Sequence, residues 1–234
     1  MLRRRILGLI RSCGLMPLIN WISNLRYAVI KLFAKIFKFN PFEFIYNKKF
    51  YDDILAVDKE TKSSEKLAKA IKLYLKPKSV IDVGCGIGIY LKPLDLSGIS
   101  CFGIEGSSIA RKYSVFNKNR IIVADVTRKL NINKKYDLAL CIEVAEHIPK
   151  KTSSILIGNL TSLSNIILFT SAPPGQGGTD HINEQKPQFW INLFNKKNFV
   201  FDKEKTEQIK NFLIQKKCIW WIPANMMIFK KRRN

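Results

Sequence analysis

Four side chains of the sequence have the types and spacing needed for proton transfer. Glu143, Glu146 and His147 lie within one short segment, and His181 lies in a glycine-rich segment farther along the chain. If the first segment forms a helical turn, its three side chains share one face. Imidazole accepts a proton near neutral pH, so this set could supply a general base. Since the chain has only these two histidines, we expect both to serve one site; histidines that only pack are the alternative.

A second stretch predicts a ligand that binds against bare backbone. The apolar, β-branched run 79–83 is followed by glycines at alternate positions, Gly84, Gly86 and Gly88. This order is typical of a buried parallel strand, a tight turn and the start of a helix. Glycine accepts backbone angles that a Cβ forbids, and it lets a ligand touch the main chain. Glu105, roughly twenty residues later, is placed to bind a ribose diol.

The glycine turn resembles one family in particular. A nicotinamide-binding turn would have Gly-x-Gly-x-x-Gly, whereas the alternate glycines here follow Asp82. This pattern is similar to the first motif of class I S-adenosylmethionine-dependent methyltransferases. Asp125, at the end of a strand-like run, matches the third acidic position of that family, and residues 136–143 match its fourth strand. The resemblance covers roughly residues 65–230.

The resemblance implies S-adenosylmethionine as the cofactor, bound in a crevice beyond the carboxyl ends of the strands. It places the ribose at Glu105 and the adenine amine at Asp125. From the residues themselves we expect His181 to meet the acceptor hydroxyl as base or orienting group, supported by His147 and Glu146, and we assign no metal ligand. The cofactor-binding residues that we expect are Asp82, Gly84, Cys85, Gly86, Gly88, Glu105, Gly106, Asp125, Val126 and Glu143.

The acceptor is predicted from the glycine-rich segment around His181. Residues 172–185 followed by Phe189 and Trp190 look like a branch of glycan and natural-product methyltransferases, which implies O-methylation of a sugar hydroxyl. Small-RNA 2′-O-methyltransferases also use Glu-x-x-Glu-His and a later histidine, there as ligands of a divalent metal. The segment around His181 departs from that branch, so RNA is the alternative acceptor. A cofactor-binding subunit without activity is the other alternative.

Composition limits the possible partners and the compartment. The 234 residues carry a net charge of +22, which favours anionic partners, although part of it reflects abundant lysine throughout the chain. Five cysteines are widely spread and form no Cys-x-x-Cys pair, so we expect buried thiols in a reducing compartment, the cytoplasm. An apolar fraction of 47% excludes a disordered chain.

The first 60 residues are predicted to form a basic extension. Residues 1–38 contain eight arginines or lysines and no acid, and no uncharged stretch is long enough to span a membrane. From residue 25 to 39, lysines and apolar residues fall on opposite helical faces. We expect a helix that lies on an anionic membrane surface; a helix packed on the catalytic domain is the alternative.

The elements that must position the site alternate from residue 61 to 234. We predict an α/β fold, a Rossmann-like sheet of seven mostly parallel strands with an antiparallel last strand, preceded by the helical extension. The expected helices are 89–96, 108–113, 152–163 and 186–197, after one that begins near Ser63. The expected strands are 79–84, 101–105, 121–125, 136–142, 165–171, 199–205 and 219–229.

Overall fold

The protein is described here by a computed structural model. It covers residues 46–232 and five earlier residues in helical conformation, Leu25, Val29, Leu32, Phe33 and Ile36. The end of the helix expected over residues 25–39 lies outside the described residues. In the part of the chain that the structure covers, no helix combines the length and the apolar content needed to cross a bilayer.

The covered residues form one sheet of seven strands in the order β3-β2-β1-β4-β5-β7-β6. Strands β1 to β5 pair in parallel, and β7 runs antiparallel to both β5 and β6. The predicted fold class is therefore confirmed. The strands are β1 Ser79–Val83, β2 Ser100–Glu105, β3 Ile121–Val123, β4 Leu138–Cys141, β5 Ile166–Thr170, β6 Phe199–Phe201 and β7 Met226–Lys231.

Helices cover both faces of the sheet. Three short 3-10 turns, at Lys118–Arg120, Ala145–His147 and Lys150–Thr152, lie between the longer elements. The helices are α1 Lys48–Thr61, α2 Ser63–Tyr74, α3 Leu91–Leu96, α4 Ser108–Lys112, α5 Ser153–Leu163, α6 Pro187–Asn195, α7 Lys203–Gln215 and α8 Trp221–Asn225.

Two apolar clusters fill the spaces between helices and sheet. Helices α2, α3 and α7 cover one face, where Leu67, Leu91 and Leu213 are fully buried. Helices α5 and α6 cover the other face, where Trp190 and Phe194 are fully buried. Each cluster joins helices that are distant in sequence, so the carboxyl ends of the parallel strands are held in fixed relative positions.

Two of the predicted strands are partly wrong. The strand expected at 199–205 ends at Phe201, because the Asp202 side chain caps α7 by accepting the amide of Lys205 at 3.1 Å. The strand expected at 219–229 begins only at Met226, since Trp221–Asn225 forms the short helix α8. Helix α7 has buried residues four apart, which is helical periodicity that the sequence prediction did not use.

Candidate functional site

The glycine turn after β1 has the backbone shape that the sequence predicted. Gly84, Gly86 and Gly88 all have positive φ angles, +81°, +54° and +79°. The amides of Gly84 and Cys85 donate to the carbonyl of Ile104 at 2.8 and 3.0 Å, which ties the turn to β2. A Cβ on Gly84 would lie 2.5 Å from a methyl group of Val144. The turn therefore requires glycine for both its angles and its packing.

Glu105, at the end of β2, reaches the same turn. Its carboxylate accepts the amide of Gly86 at 2.8 Å and the amide of Ser107 at 2.9 Å. Burial raises the pKa of Glu105, and these amide donors act in the opposite direction. The acid and the glycines that are roughly twenty residues apart in sequence thus meet in one place.

Asp125, the predicted adenine contact, has protein contacts within the turn after β3. Its carboxylate accepts the Thr127 amide at 2.9 Å and the Thr127 hydroxyl at 2.6 Å, and Arg128 lies 3.6 Å away. The cavity described next is lined by Val126, not by Asp125. In this structure Asp125 therefore holds the turn after β3.

A cavity of about 390 Å³ extends from the glycine turn to the end of β4. This volume lies in the range of small-molecule sites. Of the predicted site residues, the cavity is lined by Gly84, Cys85, Gly86, Glu105, Gly106, Val126, Glu143 and His147.

Helix α1 and the residues before it cover this cavity. Tyr51 is 4% exposed and packs with Ile87 of the glycine turn. The ring of Tyr46 lies 5.0 Å from that of Phe50 and 5.9 Å from that of His147, both edge to face. The sequence analysis assigned these aromatics no role. Ile219 and Trp221 line the cavity as well.

The two histidines are neighbours, as the sequence suggested, but only one lines the cavity. The rings of His147 and His181 are 5.0 Å apart and nearly perpendicular. His147 lines the cavity, whereas His181 is 8% exposed and lies behind it. Burial, and then the nearby His181, lowers the pKa of His147 to about 3, so this imidazole is neutral at physiological pH.

Glu143 and Glu146 complete the group. Glu146 is fully buried; one carboxylate oxygen accepts the Ala172 amide at 3.3 Å, and the other has no hydrogen-bond partner among the described residues. Burial and the adjacent Glu143 raise the pKa of Glu146 well above its usual value. Glu143 has a φ of +54°, and its carboxylate accepts a hydrogen bond from the side-chain amide of Asn225 at 3.2 Å.

The same group has the composition of a metal site. One donor atom each from Glu146, His147 and His181 lie within 4.8 Å of one another. Carboxylate and imidazole are common ligands of divalent transition metals. These donor atoms could hold an ion, so the absence of a metal ligand expected from the sequence stays a prediction.

Comparison with known proteins decides the family. A family model described as a methyltransferase domain matches residues 58–203, more than half of the chain. The chain belongs to the class I S-adenosylmethionine-dependent methyltransferases. The cofactor of the family is S-adenosylmethionine, which agrees with the sequence prediction.

Curated relatives resemble part of this methyltransferase. It is 31% identical over 121 residues to a ubiquinone biosynthesis O-methyltransferase of Pelagibacter ubique, covering 50% of the chain and 46% of the relative. It is 28% identical over 104 residues to a magnesium-protoporphyrin O-methyltransferase of Synechocystis, covering 41% and 44%. The methyltransferase thus spans about half the length of the curated relatives it matches.

Solved structures share its fold. A magnesium-protoporphyrin IX methyltransferase from Synechocystis with bound S-adenosylhomocysteine superposes with a TM-score of 0.54 at 18% identity, covering 70% of this chain and 89% of that one. A plantazolicin methyltransferase with a bound substrate analogue gives 0.58 at 13% identity, covering 94% and 100%.

Asp82 provides a test of whether the site fits such a cofactor. Neither of its buried carboxylate oxygens has a hydrogen-bond partner among the described residues. Burial, and then the charge of Glu105, raises the pKa of Asp82 to about 7. A buried acid without a partner is costly, and a ligand that carries positive charge would relieve this cost. Asp82 lies behind the lining of the cavity, two residues before Gly84, so a cationic cofactor in the cavity would act on its charge through space and fits this site.

We expect Asp82→Asn to raise the free energy of unfolding of the cofactor-free protein, because the fold no longer buries an unpartnered carboxyl. The pKa of Asp82 is about 7 in the folded chain against an ordinary 3.8. The gain should therefore be small near pH 4, grow as the pH rises towards 7 and then stay constant. Chemical denaturation across this pH range measures it.

The exposed Asp52 gives the matched control, since Asp52→Asn removes only a surface ion pair with Lys48 and should change stability little. A free energy of unfolding for Asp82→Asn that equals the wild-type value at every pH would show that the acid carries no such cost.

Proposed function

We propose that this methyltransferase transfers a methyl group from S-adenosylmethionine to a hydroxyl oxygen of an apolar, ring-bearing acceptor. The observation that carries the proposal is one continuous cavity that joins the glycine turn to His147 and is covered mainly by apolar and aromatic side chains. These covering residues are Tyr46, Phe50, Ile54, Val57, Ile219 and Trp221. Two acids of α1, Asp53 and Asp58, also line the cavity.

We assign the cofactor to the glycine-turn end of the cavity. The positive φ of Gly86 and its lack of a side chain leave bare backbone facing the cavity. Glu105 supplies carboxylate oxygens for ribose hydroxyls, and Asp82 offers the charge that a cationic ligand balances. Since Asp125 turns towards Thr127, we propose that Val126 packs against the base and that Asp125 fixes that turn.

We assign the acceptor to the His147 end. Bound S-adenosylmethionine supplies a methyl group on a positively charged sulfur, so the protein mainly has to align the acceptor. His147 lines the cavity as a neutral imidazole, which can accept a hydrogen bond from the acceptor hydroxyl and so orient it. We place His181 and Glu146 behind it as groups that hold its ring, whereas the sequence analysis put His181 in direct contact with the acceptor.

The acceptor class is supported by the cavity cover and by the relatives. Aromatic and aliphatic side chains bury an apolar ring system better than a sugar with its many hydroxyls. Relatives with matched segments are named as ubiquinone biosynthesis, tocopherol and magnesium-protoporphyrin O-methyltransferases. A sugar hydroxyl on a glycan, expected from the sequence, remains a prediction without this support.

A metal-assisted reaction is the second candidate, favoured by the close donor atoms of Glu146, His147 and His181. An ion held there would lie beside the acceptor end of the cavity, where it could lower the pKa of an acceptor hydroxyl. The RNA acceptor suggested by the sequence belongs to this candidate.

We further propose that residues 1–38 bind an anionic membrane surface. The described helical residues Leu25, Val29, Leu32, Phe33 and Ile36 follow helical spacing and are 44% to 61% exposed. The same stretch of sequence has eight basic and no acidic residues. Apolar exposure combined with positive charge matches a helix in the lipid interface, which is where an apolar acceptor would be found.

The cofactor assignment predicts that Gly86→Val abolishes cofactor binding while the sheet stays folded, because a branched side chain would enter the cavity. Calorimetry with S-adenosylhomocysteine measures the affinity. Gly98→Val is the control, since Gly98 has a similar φ of +87° but no atom within 4 Å of its Cβ position. Equal affinity of the two variants would refute the assignment.

The acceptor assignment predicts methyl transfer to a prenyl-substituted catechol, but not to a lipid-linked oligosaccharide or a short RNA. His147→Phe keeps a ring in place but cannot accept a hydrogen bond from the acceptor hydroxyl, so the loss of alignment should lower kcat by about a hundredfold, with cofactor affinity unchanged. Radiolabelled methyl transfer measures both effects.

The same assay separates the alternatives. Transfer to the oligosaccharide alone would restore the sugar prediction. Loss of activity with EDTA and its recovery with Mn²⁺ would favour the metal-assisted reaction, and RNA methylation under those conditions would identify the RNA acceptor.

The membrane proposal predicts that the full chain sediments with phosphatidylglycerol vesicles and that high salt releases it. Ile36→Glu should weaken sedimentation by placing a charge on the apolar stripe. Ile214→Glu is the control, since Ile214 has the same 61% exposure on α7. Full-length protein that stays in the supernatant at low salt would rule the proposal out.

A further inference from the structure

The loop between β5 and α6 is organised around one buried carboxylate that the sequence analysis did not single out. Glu184 is 8% exposed, and its carboxylate accepts the Gly175 amide at 2.7 Å and the Gly177 amide at 2.6 Å. Both glycines have positive φ angles, +86° and +67°, which turn their N–H groups inwards. The carboxylate therefore fixes the loop from within.

The far side of the loop is fixed to the 3-10 turn at Ala145–His147. The amides of Ile182 and Asn183 donate to the carbonyl of Glu146 at 2.9 and 3.0 Å. The side chain of Asn183 donates to the Ala145 carbonyl at 3.0 Å. Three hydrogen bonds thus join the loop to the turn that carries His147.

Glu184 also fixes the orientation of the His181 ring. The distance from its carboxylate to Nδ1 of His181 is 3.0 Å. Both carboxylate oxygens already accept main-chain N–H groups, from Gly175 and Gly177, so the carboxylate is placed as an acceptor. We therefore expect Nδ1 to carry the hydrogen of this bond and Nε2 to be without one.

The His181 ring held in this way packs against Gly178 and against the ring of His147. A Cβ on Gly178 would overlap the ring of His181, so only glycine allows this position. On its other side the ring meets that of His147 edge to face, and His147 lines the cavity together with Thr179 of the same loop.

We propose that Glu184 is a positioning residue for methyl transfer: it holds His181 as the Nδ1–H tautomer and fixes the loop that supports His147 and Thr179. The effect on catalysis rests on the proposed function of His147, whereas the tautomer and the loop geometry do not. The ligand concerned is the hydroxyl-bearing acceptor, because the loop supports His147, which lies at the end of the cavity that we assign to the acceptor. Thr179 is the residue of this loop that lines the cavity.

Histidine ring NMR tests the tautomer directly, since the protein contains only two histidines. Long-range ¹H–¹⁵N spectra of ¹⁵N-histidine-labelled wild type should show His181 as the Nδ1–H form, with His181→Asn providing the assignment. In Glu184→Ala the Nδ1–H form should cease to dominate. An Nε2–H form of His181 in wild type would overturn the proposal without any activity measurement.

Kinetics with the prenyl-substituted catechol test the consequence. Glu184→Ala should lower kcat by about tenfold to a hundredfold, the range for residues that orient a functional imidazole, and leave S-adenosylhomocysteine affinity within about twofold. Glu184→Gln should recover part of the activity, because its amide oxygen can still accept the Nδ1 hydrogen.

Glu204→Gln is the matched control, since Glu204 is exposed at the start of α7. Unchanged kcat in Glu184→Ala with a changed tautomer would overturn the positioning role. If no variant methylates the catechol, the proposed acceptor is wrong, and the NMR result still decides the tautomer. If Glu184→Ala does not fold, Gly178→Ala, which displaces the ring by sterics, replaces it in both measurements.

Discussion

Buried carboxylates at the carboxyl edge of the sheet accept backbone N–H groups from the loops that follow the strands, and these bonds hold the site together. Glu105 accepts amides of the glycine turn and of Ser107, Glu146 accepts the amide of Ala172, and Glu184 accepts two amides of its own loop. Because a buried amide or carboxylate without a partner is costly, each loop has one favourable position. Loops that would otherwise be mobile thus form a rigid cavity wall.

Asp82 differs from these acids because its carboxylate has no hydrogen-bond donor in the described structure, which agrees with binding of a cationic cofactor nearby. The other carboxylates receive main-chain donors, whereas both oxygens of Asp82 are buried without a hydrogen-bond partner in the described structure. The fold therefore retains an unfavourable charge at the position where a cationic cofactor would compensate it. Stability of the empty protein and affinity for the cofactor are coupled through this one side chain.

The residues that cover the cavity of this methyltransferase lie outside the part of the chain that the family model matches. The fold is shared with structures named as a magnesium-protoporphyrin IX methyltransferase and a plantazolicin methyltransferase, so the fold says little about the acceptor. Tyr46 and Phe50 come from the segment before the family match, and Trp221 comes from α8 after it. Both segments contribute apolar surface to the cavity.

The sequence by itself determined the glycine turn and its contact with Glu105. Alternate glycines after a β-branched run, with Glu105 at the end of the next strand, are local patterns whose geometry follows from parallel strand pairing. It also indicated that the two histidines meet, since both follow neighbouring strands. Only the tertiary structure decided that His147 faces the cavity with His181 behind it, that Asp125 turns to Thr127, and that residues 221–225 are helical. These outcomes depend on side-chain orientation and on contacts between segments distant in the chain, which no local pattern encodes.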